Sequence, residues 1–331
     1  MNSATPPAGD PAVVQVIRSG LTESVHLLDI AVVDMQGDLV AFAGDPSRVL
    51  FARSSMKPLQ AVVSLSLAGL DLTPKETAVV AASHNAEPVH VEAVRSVLRK
   101  GGVEEAALQC PPRRSWDDPL VIDEVVRRPI HSDCSGKHAG MLAACRAQGW
   151  DLASYRDPGH PLQQLILKTV LGITGLERVE IGVDGCGVPV HGLPLSSMAT
   201  IFARFSSASW WTTLGQSMEN VIRGMTTEPY MVAGANRVDT AVMEAVAGVV
   251  TKEGAEALIC AGIRDRGLGI ALRVRDGGWR AVSPGLIRVF DLLGVLDAEA
   301  RSALDAYAVP PVLGGGSRVG DVRADFGLVW S

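Results

Sequence analysis

The sequence predicts a mixed α/β fold in which an antiparallel sheet is flanked by helices. Strand-like runs stand near the start of the chain, at residues 13–17, 27–33 and 39–42, and the last residues are strand-like as well. Segments with the 3.6-residue periodicity of helices fill most of the interval. Because strands lie at both ends, this order permits a sheet in which the first and last strands pair.

The N-terminal third begins with a β-hairpin or meander and continues with helices. Gln36-Gly37-Asp38 is typical of a turn and separates the second strand run from the third. Residues 55–68 are apolar enough to form a largely buried helix. We interpret the short apolar run at 77–82 as a buried strand. Residues 87–100 are predicted to be helical, since a proline suits their first turn and two glycines follow them.

The later elements are predicted from the same periodicity and from flanking glycine and proline residues. A polar loop rich in proline and arginine is expected at 111–119. The predicted helices are 134–148, 162–171, 196–205, 215–225, 239–249 and 286–293, and the predicted strands are 179–183, 257–263, 269–275 and the C-terminal residues.

Composition and charge exclude several classes of protein. The chain has 331 residues and a net charge of −6, and its arginines are scattered, which argues against a nucleic-acid-binding surface. No apolar stretch is long enough to span a bilayer, so we expect no membrane association. Residues 1–11 resemble a flexible tail rather than a secretory signal. We therefore expect a cytoplasmic protein with a single domain over residues 12–331, large enough for two lobes.

Lysine is scarce in this chain, and that scarcity draws attention to each lysine. The 30 basic residues comprise 24 arginines and six lysines. Lysine can give up its proton inside a protein, whereas arginine cannot. A chemical role for the side-chain amine is therefore considered for all six lysines. For any one of them, the simpler explanation is that the lysine is present by chance and has no such role. The lysines are Lys57, Lys75, Lys100, Lys137, Lys168 and Lys252.

The first candidate for catalysis is the pair Ser54 and Lys57, in Arg53-Ser54-Ser55-Met56-Lys57-Pro58. If a helix begins at Ser54, the two side chains lie on one face, and Pro58 is tolerated in the first turn. The free N–H groups of a helix N-terminus favour a developing oxyanion. Burial of the amine by the apolar helix lowers its pKa, as a general base requires. An N-cap serine beside a surface lysine is the plain alternative.

Two further elements extend this pair. Ser83-His84-Asn85 follows the apolar run at 77–82, and Lys252-Glu253-Gly254 precedes the predicted strand at 257–263. Ser-x-x-Lys, Ser-x-Asn and Lys-x-Gly, in this chain order, are the three elements of serine β-lactamases and penicillin-binding proteins. They supply a nucleophile with its base, a proton shuttle and a second cation. The alternatives are a turn-capping hydroxyl at Ser83 and a solvated turn residue at Lys252.

A third group of residues has the composition of a metal site. Cys134, Lys137 and His138 stand at helical spacing, and Cys186 lies in a glycine-rich turn after a strand. Two thiols with an imidazole or a neutral amine can hold Zn²⁺, and by residue type His138 is the more usual third ligand. No Cys-x-x-Cys pair is present, and packed cysteines with a helix cap are the alternative. Five cysteines, an odd number, argue against a disulfide framework.

Taken together, these segments resemble the Rhizobium-type (class 3) L-asparaginases, the asparaginase II family. The likeness covers nearly the whole chain from about Val13 onward, and the Cys-Ser-Gly-Lys-His-Ala-Gly run is long enough to be specific. The segments that carry it are Arg53–Pro58, Cys134–Leu142, Asp184–Pro189, Met231–Gly234 and Arg237–Thr240.

The resemblance implies a fold similar to the serine β-lactamases and glutaminases, and a homodimer. It implies a nucleophile at Ser54 beside Lys57, a second pair formed by Ser83 and Lys252, and zinc close to the substrate. The zinc ligands that the resemblance implies are Cys134, Lys137 and Cys186. It therefore favours Lys137 over His138 as the third ligand.

We therefore expect an L-asparaginase that hydrolyses L-asparagine to L-aspartate and ammonia. A charged amino acid needs anchors, and we assign substrate contacts to Asp184 for the α-ammonium, to Arg237 for the α-carboxylate, and to His138. The alternative enzyme is an amidohydrolase with a different substrate, similar to a glutaminase or a β-lactamase. The alternative from another class is a non-catalytic homologue that binds an amino acid. The presence of all four catalytic candidates, two serines and two lysines, argues against this alternative.

Overall fold

The computed structural model describes residues 8–111 and 128–331, so the predicted tail and the predicted loop at 111–119 fall largely outside the described residues. Its strands are β1 (Ala12–Arg18), β2 (Leu21–Val33), β3 (Leu39–Ala43), β4 (Val49–Phe51), β5 (Glu180–Val183), β6 (Pro189–Pro194), β7 (Val249–Gly254), β8 (Leu258–Ile263), β9 (Leu268–Val274), β10 (Pro311–Gly314), β11 (Ser317–Ala324) and β12 (Val329–Trp330). Its α-helices are α1 (Lys57–Ala68), α2 (Pro74–Val80), α3 (Pro88–Lys100), α4 (Ser135–Gln148), α5 (Pro161–Thr174), α6 (Leu195–Arg204), α7 (Gly215–Thr227), α8 (Pro229–Val232), α9 (Val238–Ala245), α10 (Val282–Leu292), α11 (Ala298–Ala303) and α12 (Asp305–Ala308).

The described residues form two compact units. The first, which we call the sheet unit, comprises the residues up to Ser55 together with Leu193–Ser206 and Ala241–Ser331. The second, the helical unit, comprises Met56–Gly192 and Ser207–Thr240. Both units are therefore assembled from segments that are distant in the sequence.

The sheet unit is built on an antiparallel sheet with the strand order β10-β11-β1-β2-β9-β8-β7, to which β3 adds beside β2 and β12 beside β3. The N-terminal strand β1 pairs with β11 in a register that places Val14 opposite Ala324. Strands from the two ends of the chain therefore pair, although the last strand, β12, pairs with β3 rather than with β1.

Helices cover both faces of this sheet, as predicted. A Cβ atom on Gly269 of β9 would lie 1.9 Å from the carbonyl oxygen of Ala199, so the missing side chain lets α6 pack closely on this face. A Cβ on Gly285 of α10 would meet the side chain of Leu272 at 3.0 Å. Positions 269 and 272 point to opposite faces because side chains alternate along a strand, so α6 and α10 enclose the sheet.

The helical unit packs α1 against α4, α5 and α7, and α2 against α3, α4 and α7. Most of α1 is buried, which agrees with the apolar sequence that predicts a buried helix there. Gly136 and Gly140 of α4 make the contact with α2 possible: a Cβ on Gly136 would lie 1.9 Å from the carbonyl oxygen of Val79. Within residues 8–111 and 128–331, every helix falls short of the length and apolarity needed to cross a membrane.

Several predicted elements differ from the structure. The run at 77–82 is not a strand: Thr73 and Glu76 form a capping box with Pro74 between them, and α2 begins there. The predicted helix at 239–249 ends at Ala245, and β7 starts at Val249. Residues 53–56 form a 3₁₀ turn, so α1 begins at Lys57 rather than at Ser54.

Candidate active site

The amine of Lys57 lies in the core of the helical unit and is fully buried. Its Nζ atom is 2.7 Å from the carbonyl oxygen of Ala82, 2.9 Å from Oγ of Ser83 and 3.4 Å from the carbonyl oxygen of Asp133. An ammonium can donate one proton to each of these acceptors. A neutral amine can instead donate to the two carbonyls and accept the hydroxyl proton of Ser83. The arrangement is suited to moving a proton between a serine and a lysine.

Asp133 links this lysine to the cysteine cluster. Its Oδ2 atom is 3.8 Å from Lys57 Nζ and 3.6 Å from Sγ of Cys134. The carboxylate is largely buried, and it places a negative charge between the amine and the thiol. Sequence reasoning missed Asp133, although its position directly before the Cys-Ser-Gly-Lys-His run was an available signal.

Backbone hydrogen bonds hold the Ser83-His84-Asn85 segment in place. The N–H groups of Ser83 and Asn85 donate to the carbonyl oxygens of Val232 and Ala233, at 2.9 and 3.0 Å. Nη1 of Arg237 donates to Oδ1 of Asn85 at 2.8 Å. The structure thus brings Arg237, predicted from the sequence as a substrate anchor, to the segment that carries Ser83, within the same unit.

The thiols and amine of the candidate metal site also come together in the helical unit. Cys134 directly precedes α4, Lys137 and His138 lie in its first turn, and Cys186 lies between β5 and β6. Nζ of Lys137 donates to Sγ of Cys186 at 2.9 Å. All four residues are buried.

Electrostatics in this cluster favour a thiolate at Cys186. A hydrogen bond from Cys134 holds the pKa of Cys186 well below its usual range, and Lys137 adds to the effect although burial opposes it. The same hydrogen bond, together with burial, raises the pKa of Cys134. Burial alone would lower the pKa of Lys137, but Cys186, Cys134 and Asp184 together raise it. The directions of these pKa shifts favour a buried ammonium–thiolate pair in which the second thiol stays protonated.

His138 is held beside this pair by Tyr155, whose hydroxyl oxygen lies 2.5 Å from His138 Nδ1. Burial lowers the pKa of His138, and its contact with Cys186 only partly offsets this, so the imidazole is neutral. Its Nε2 atom is buried and makes no hydrogen bond of ordinary geometry within the described residues. Nothing in the sequence pointed to Tyr155, which is 17 residues from His138.

These side chains fit a zinc ion by their chemistry. Two thiols, an amine and a buried imidazole nitrogen are donors that Zn²⁺ accepts, and the lowered pKa of Cys186 favours the thiolate form of one thiol. Because one donor is a lysine, the set differs from common zinc sites. In the described part of the chain, no cluster of three or more His, Cys, Asp and Glu side chains is arranged to hold a metal.

Asp184 lies half-buried at the start of the turn that carries Cys186. Its Oδ1 atom accepts the N–H of Gly185 at 2.8 Å, and its negative charge contributes to the raised pKa of Lys137. The structure therefore associates Asp184 with the cysteine cluster.

The sheet unit carries the other two predicted catalytic residues. Ser54 is partly exposed and lies in the 3₁₀ turn at residues 53–56. Lys252 is fully buried on β7, where its Nζ donates to the carbonyl oxygen of Glu253 at 3.0 Å. The expectation that Lys252 precedes its strand is therefore wrong.

The segments that carry Ser54 and Lys252 approach each other closely at Gly254, which has no side chain. A Cβ atom on Gly254 would lie 3.2 Å from the backbone nitrogen of Ser55 and 3.1 Å from the carbonyl oxygen of Ala52. The end of β7 thus runs beside the turn that carries Ser54.

Comparison with known families identifies the family of the chain. The family model for L-asparaginase II matches residues 14–324. The chain belongs to the L-asparaginase II family. This membership makes the protein an asparaginase-type amidohydrolase, and it confirms the resemblance that the Cys-Ser-Gly-Lys-His-Ala-Gly segment indicates.

Other comparisons add little about this L-asparaginase II family member. No curated protein matches the sequence. Among solved structures, a β-lactamase from Mycobacterium bovis is similar to it at 16% sequence identity and a TM-score of 0.39, covering 80% of this chain and 94% of that one. At that TM-score the likeness carries no argument, and the fold class rests on the sheet and helices described above.

Proposed function

We propose that this protein is an L-asparaginase that hydrolyses L-asparagine to L-aspartate and ammonia through serine–lysine catalysis. One observation carries the proposal. In a member of an asparaginase family, a fully buried lysine amine lies 2.9 Å from a serine hydroxyl. A general base has to lie within hydrogen-bond reach of the hydroxyl group from which it takes a proton, and a lysine amine can fill this role.

The proposed reaction begins at Ser54, three residues before Lys57 in the chain. Lys57 removes the hydroxyl proton, and the Ser54 oxygen attacks the side-chain amide carbon of asparagine. The C–N bond then breaks as the leaving nitrogen takes the proton that Lys57 removed, relayed through Ser83 and Lys252, and ammonia departs. Water hydrolyses the resulting ester, which releases L-aspartate and restores the hydroxyl.

Ser54 is the preferred nucleophile because it is partly exposed, whereas Ser83 is only 4% exposed. Ser83 is the alternative, favoured by its hydrogen bond to Lys57.

Arg237 is proposed to bind the α-carboxylate of the substrate, and Asp184 the α-ammonium, with His138 nearby. Opposite charges of this kind recognise a free amino acid through charge-assisted hydrogen bonds.

Cys134, Lys137 and Cys186 are the proposed zinc ligands, with His138 beside them. When bound, the ion would fix the positions of these side chains and add positive charge next to the substrate. Lys137 has to lose its proton to act as a ligand, and Cys186 is already disposed to bind as a thiolate. The protein is further proposed to form a homodimer and to be located in the cytoplasm.

The test measures ammonia release from L-asparagine and L-glutamine, and ring opening of a β-lactam by its change in ultraviolet absorbance, side by side. Asparagine should be the preferred substrate, and a preference for either of the others would favour the glutaminase-like or β-lactamase-like alternative.

Ser54→Ala should abolish ammonia release while the fold is retained, because loss of a partly exposed hydroxyl costs little stability. Mass spectrometry of the quenched reaction should find the acyl group on Ser54. If Ser54→Ala keeps more than a few per cent of activity, the role passes to Ser83. Binding of asparagine without any turnover would indicate the non-catalytic homologue.

A further inference from the structure

A tyrosine and a carboxylate form a close pair next to Asn85. The hydroxyl of Tyr230 donates a hydrogen bond to Oε2 of Glu87. The other carboxylate oxygen of Glu87 accepts from Nδ2 of Asn85 at 3.5 Å, and Nδ2 also donates to the carbonyl oxygen of Ala235 at 3.4 Å. On its opposite side, Asn85 Oδ1 accepts from Arg237 at 2.8 Å. A continuous chain of hydrogen bonds therefore runs from Tyr230 to Arg237.

The backbone around this chain is shaped to accommodate it. Gly234 has φ +113°, and a Cβ there would lie 2.6 Å from Nδ2 of Asn85 and 2.9 Å from Oε1 of Glu87. Ala86 and Asn236 have positive φ angles of 58° and 59°, although neither is a glycine. Left-handed backbone costs energy in such residues and persists only where the surrounding structure holds it. Both segments are therefore constrained around Asn85.

Ring stacking connects Tyr230 to the segment that carries Ser83. The ring of Tyr230 stacks on that of His90 at a centroid distance of 5.6 Å, and His90 stacks on His84 at 5.2 Å. Nε2 of His90 also lies 3.0 Å from the carbonyl oxygen of Tyr230. The position of the tyrosine hydroxyl is thus set by packing that does not involve Asn85, so Tyr230 can act as a fixed reference for Glu87.

The orientation of the Asn85 amide decides what Arg237 contacts. An amide has nearly the same shape after a 180° rotation that exchanges its oxygen and nitrogen. In the rotated form, N–H donors of Asn85 would face the N–H donors of Arg237, and the hydrogen bond that holds the guanidinium would be lost. A carboxylate accepts hydrogen bonds and cannot donate them, so Glu87 favours the orientation in which Nδ2 faces it.

We propose that Glu87 and Tyr230 are positioning residues that fix the Asn85 amide, and through it the guanidinium of Arg237. The consequence for catalysis rests on the proposed function, in which Arg237 binds the α-carboxylate of the substrate. The pair then sets the affinity for the amino acid rather than the rate of the chemical step. Neither residue is assigned any contact with the reacting atoms.

The kinetic test compares Tyr230→Phe with the wild-type protein. The variant keeps the stacked ring and removes only the hydroxyl. We expect KM for L-asparagine to rise about tenfold while kcat changes less than about twofold, the signature of lost substrate binding. Glu87→Ala should have an effect at least as large, and the double variant should be no worse than Glu87→Ala, because both changes break one chain of hydrogen bonds. Tyr307→Phe is the matched control and should leave both constants unchanged.

A second readout does not depend on activity. The chain has only three tyrosines, so their ionisation can be followed by ultraviolet absorbance, with Tyr230→Phe identifying the relevant step. The hydrogen bond to Glu87 raises the pKa of Tyr230, and burial adds to this. In Glu87→Ala the ionisation of Tyr230 should therefore move to lower pH.

The outcomes separate the two proposals. An unchanged KM in Tyr230→Phe, in protein that hydrolyses asparagine, overturns this inference and leaves the proposed function intact. An unchanged titration of Tyr230 in Glu87→Ala overturns the pairing itself. If the wild-type protein releases no ammonia from asparagine, the proposed function fails and the role in affinity fails with it, while the titration still decides whether the pair exists.

Discussion

Replacing Glu76 with glutamine tests the ion pair at the start of α2, the helix that leads into Ser83. Glu76 is buried, and its carboxylate accepts hydrogen bonds from Thr73 N–H at 2.7 Å, Ser96 Oγ at 2.6 Å and Lys100 Nζ at 2.7 Å. Burial alone would raise the pKa of Glu76, but Lys100, Ser96 and Thr73 together lower it from 4.5 to about 2. A difference of this size corresponds to roughly 3 kcal/mol of stability at neutral pH.

The sign of the pH dependence follows from the lowered pKa. The stabilisation that the Glu76 carboxylate provides is complete above pH 4.5, where the carboxylate is ionised in both the folded and the unfolded state. This stabilisation is lost as the pH falls towards 2. Glu76→Gln should therefore reduce the free energy of unfolding by about 3 kcal/mol at pH 7 and by about 2 kcal/mol at pH 3.5.

Urea unfolding followed by tryptophan fluorescence measures both values. The control is Glu92→Gln, which removes an exposed ion pair with Arg99 and should cost less than about 0.5 kcal/mol. A loss below about 1 kcal/mol for Glu76→Gln at pH 7, or an equal loss at both pH values, would refute the reasoning.

Three further predictions concern the site and its support. Lys57→Arg should be nearly as inactive in ammonia release as Lys57→Ala, since arginine keeps the charge but cannot act as a base; an active arginine variant would remove the general-base role. Metal analysis should find close to one zinc per chain, with occupancy falling at low pH as protons compete for the ligands. Cys134→Ser and Cys186→Ser should lose the zinc, whereas changes at the three other cysteines should not; full activity after chelation, with no zinc detected, would contradict this. Gly136→Ala should destabilise the protein by more than about 3 kcal/mol in urea unfolding, because its Cβ would lie 1.9 Å from a carbonyl oxygen, while Gly172→Ala on α5, where nothing lies within 4 Å, should be neutral or stabilising.

Predicted and observed elements differ for a local reason at α2 and for a non-local reason at β7. At α2 the apolar run at 77–82 suggested a strand, but Thr73 and Glu76 form a capping box, and those cap hydrogen bonds belong to a helix. At β7 the residues around Lys252 look like a turn when read alone. They form a strand because β8 pairs with them, placing Lys252 opposite Cys260. The second error could not be avoided from local sequence, because strand pairing depends on another segment.

The sequence by itself determined most of the elements, the antiparallel class of the sheet, and the residue types able to do the chemistry. It did so because periodicity, capping residues and turns act between near neighbours in the chain. It also pointed to the family, through a short segment in which cysteine, lysine and histidine stand at helical spacing.

Only the tertiary structure decided which side chains meet. It placed Lys57 against Ser83, 26 residues away, and Lys137 against Cys186, 49 residues away. It also brought in Asp133, Tyr155 and the pair of Glu87 with Tyr230, none of which is a sequence-predicted site residue. These contacts depend on how helices and loops pack against one another, and close approaches such as that of α4 to α2 at Gly136 set them. Local periodicity contains no information about such packing, and for that reason the site could be assigned by residue type but not by geometry.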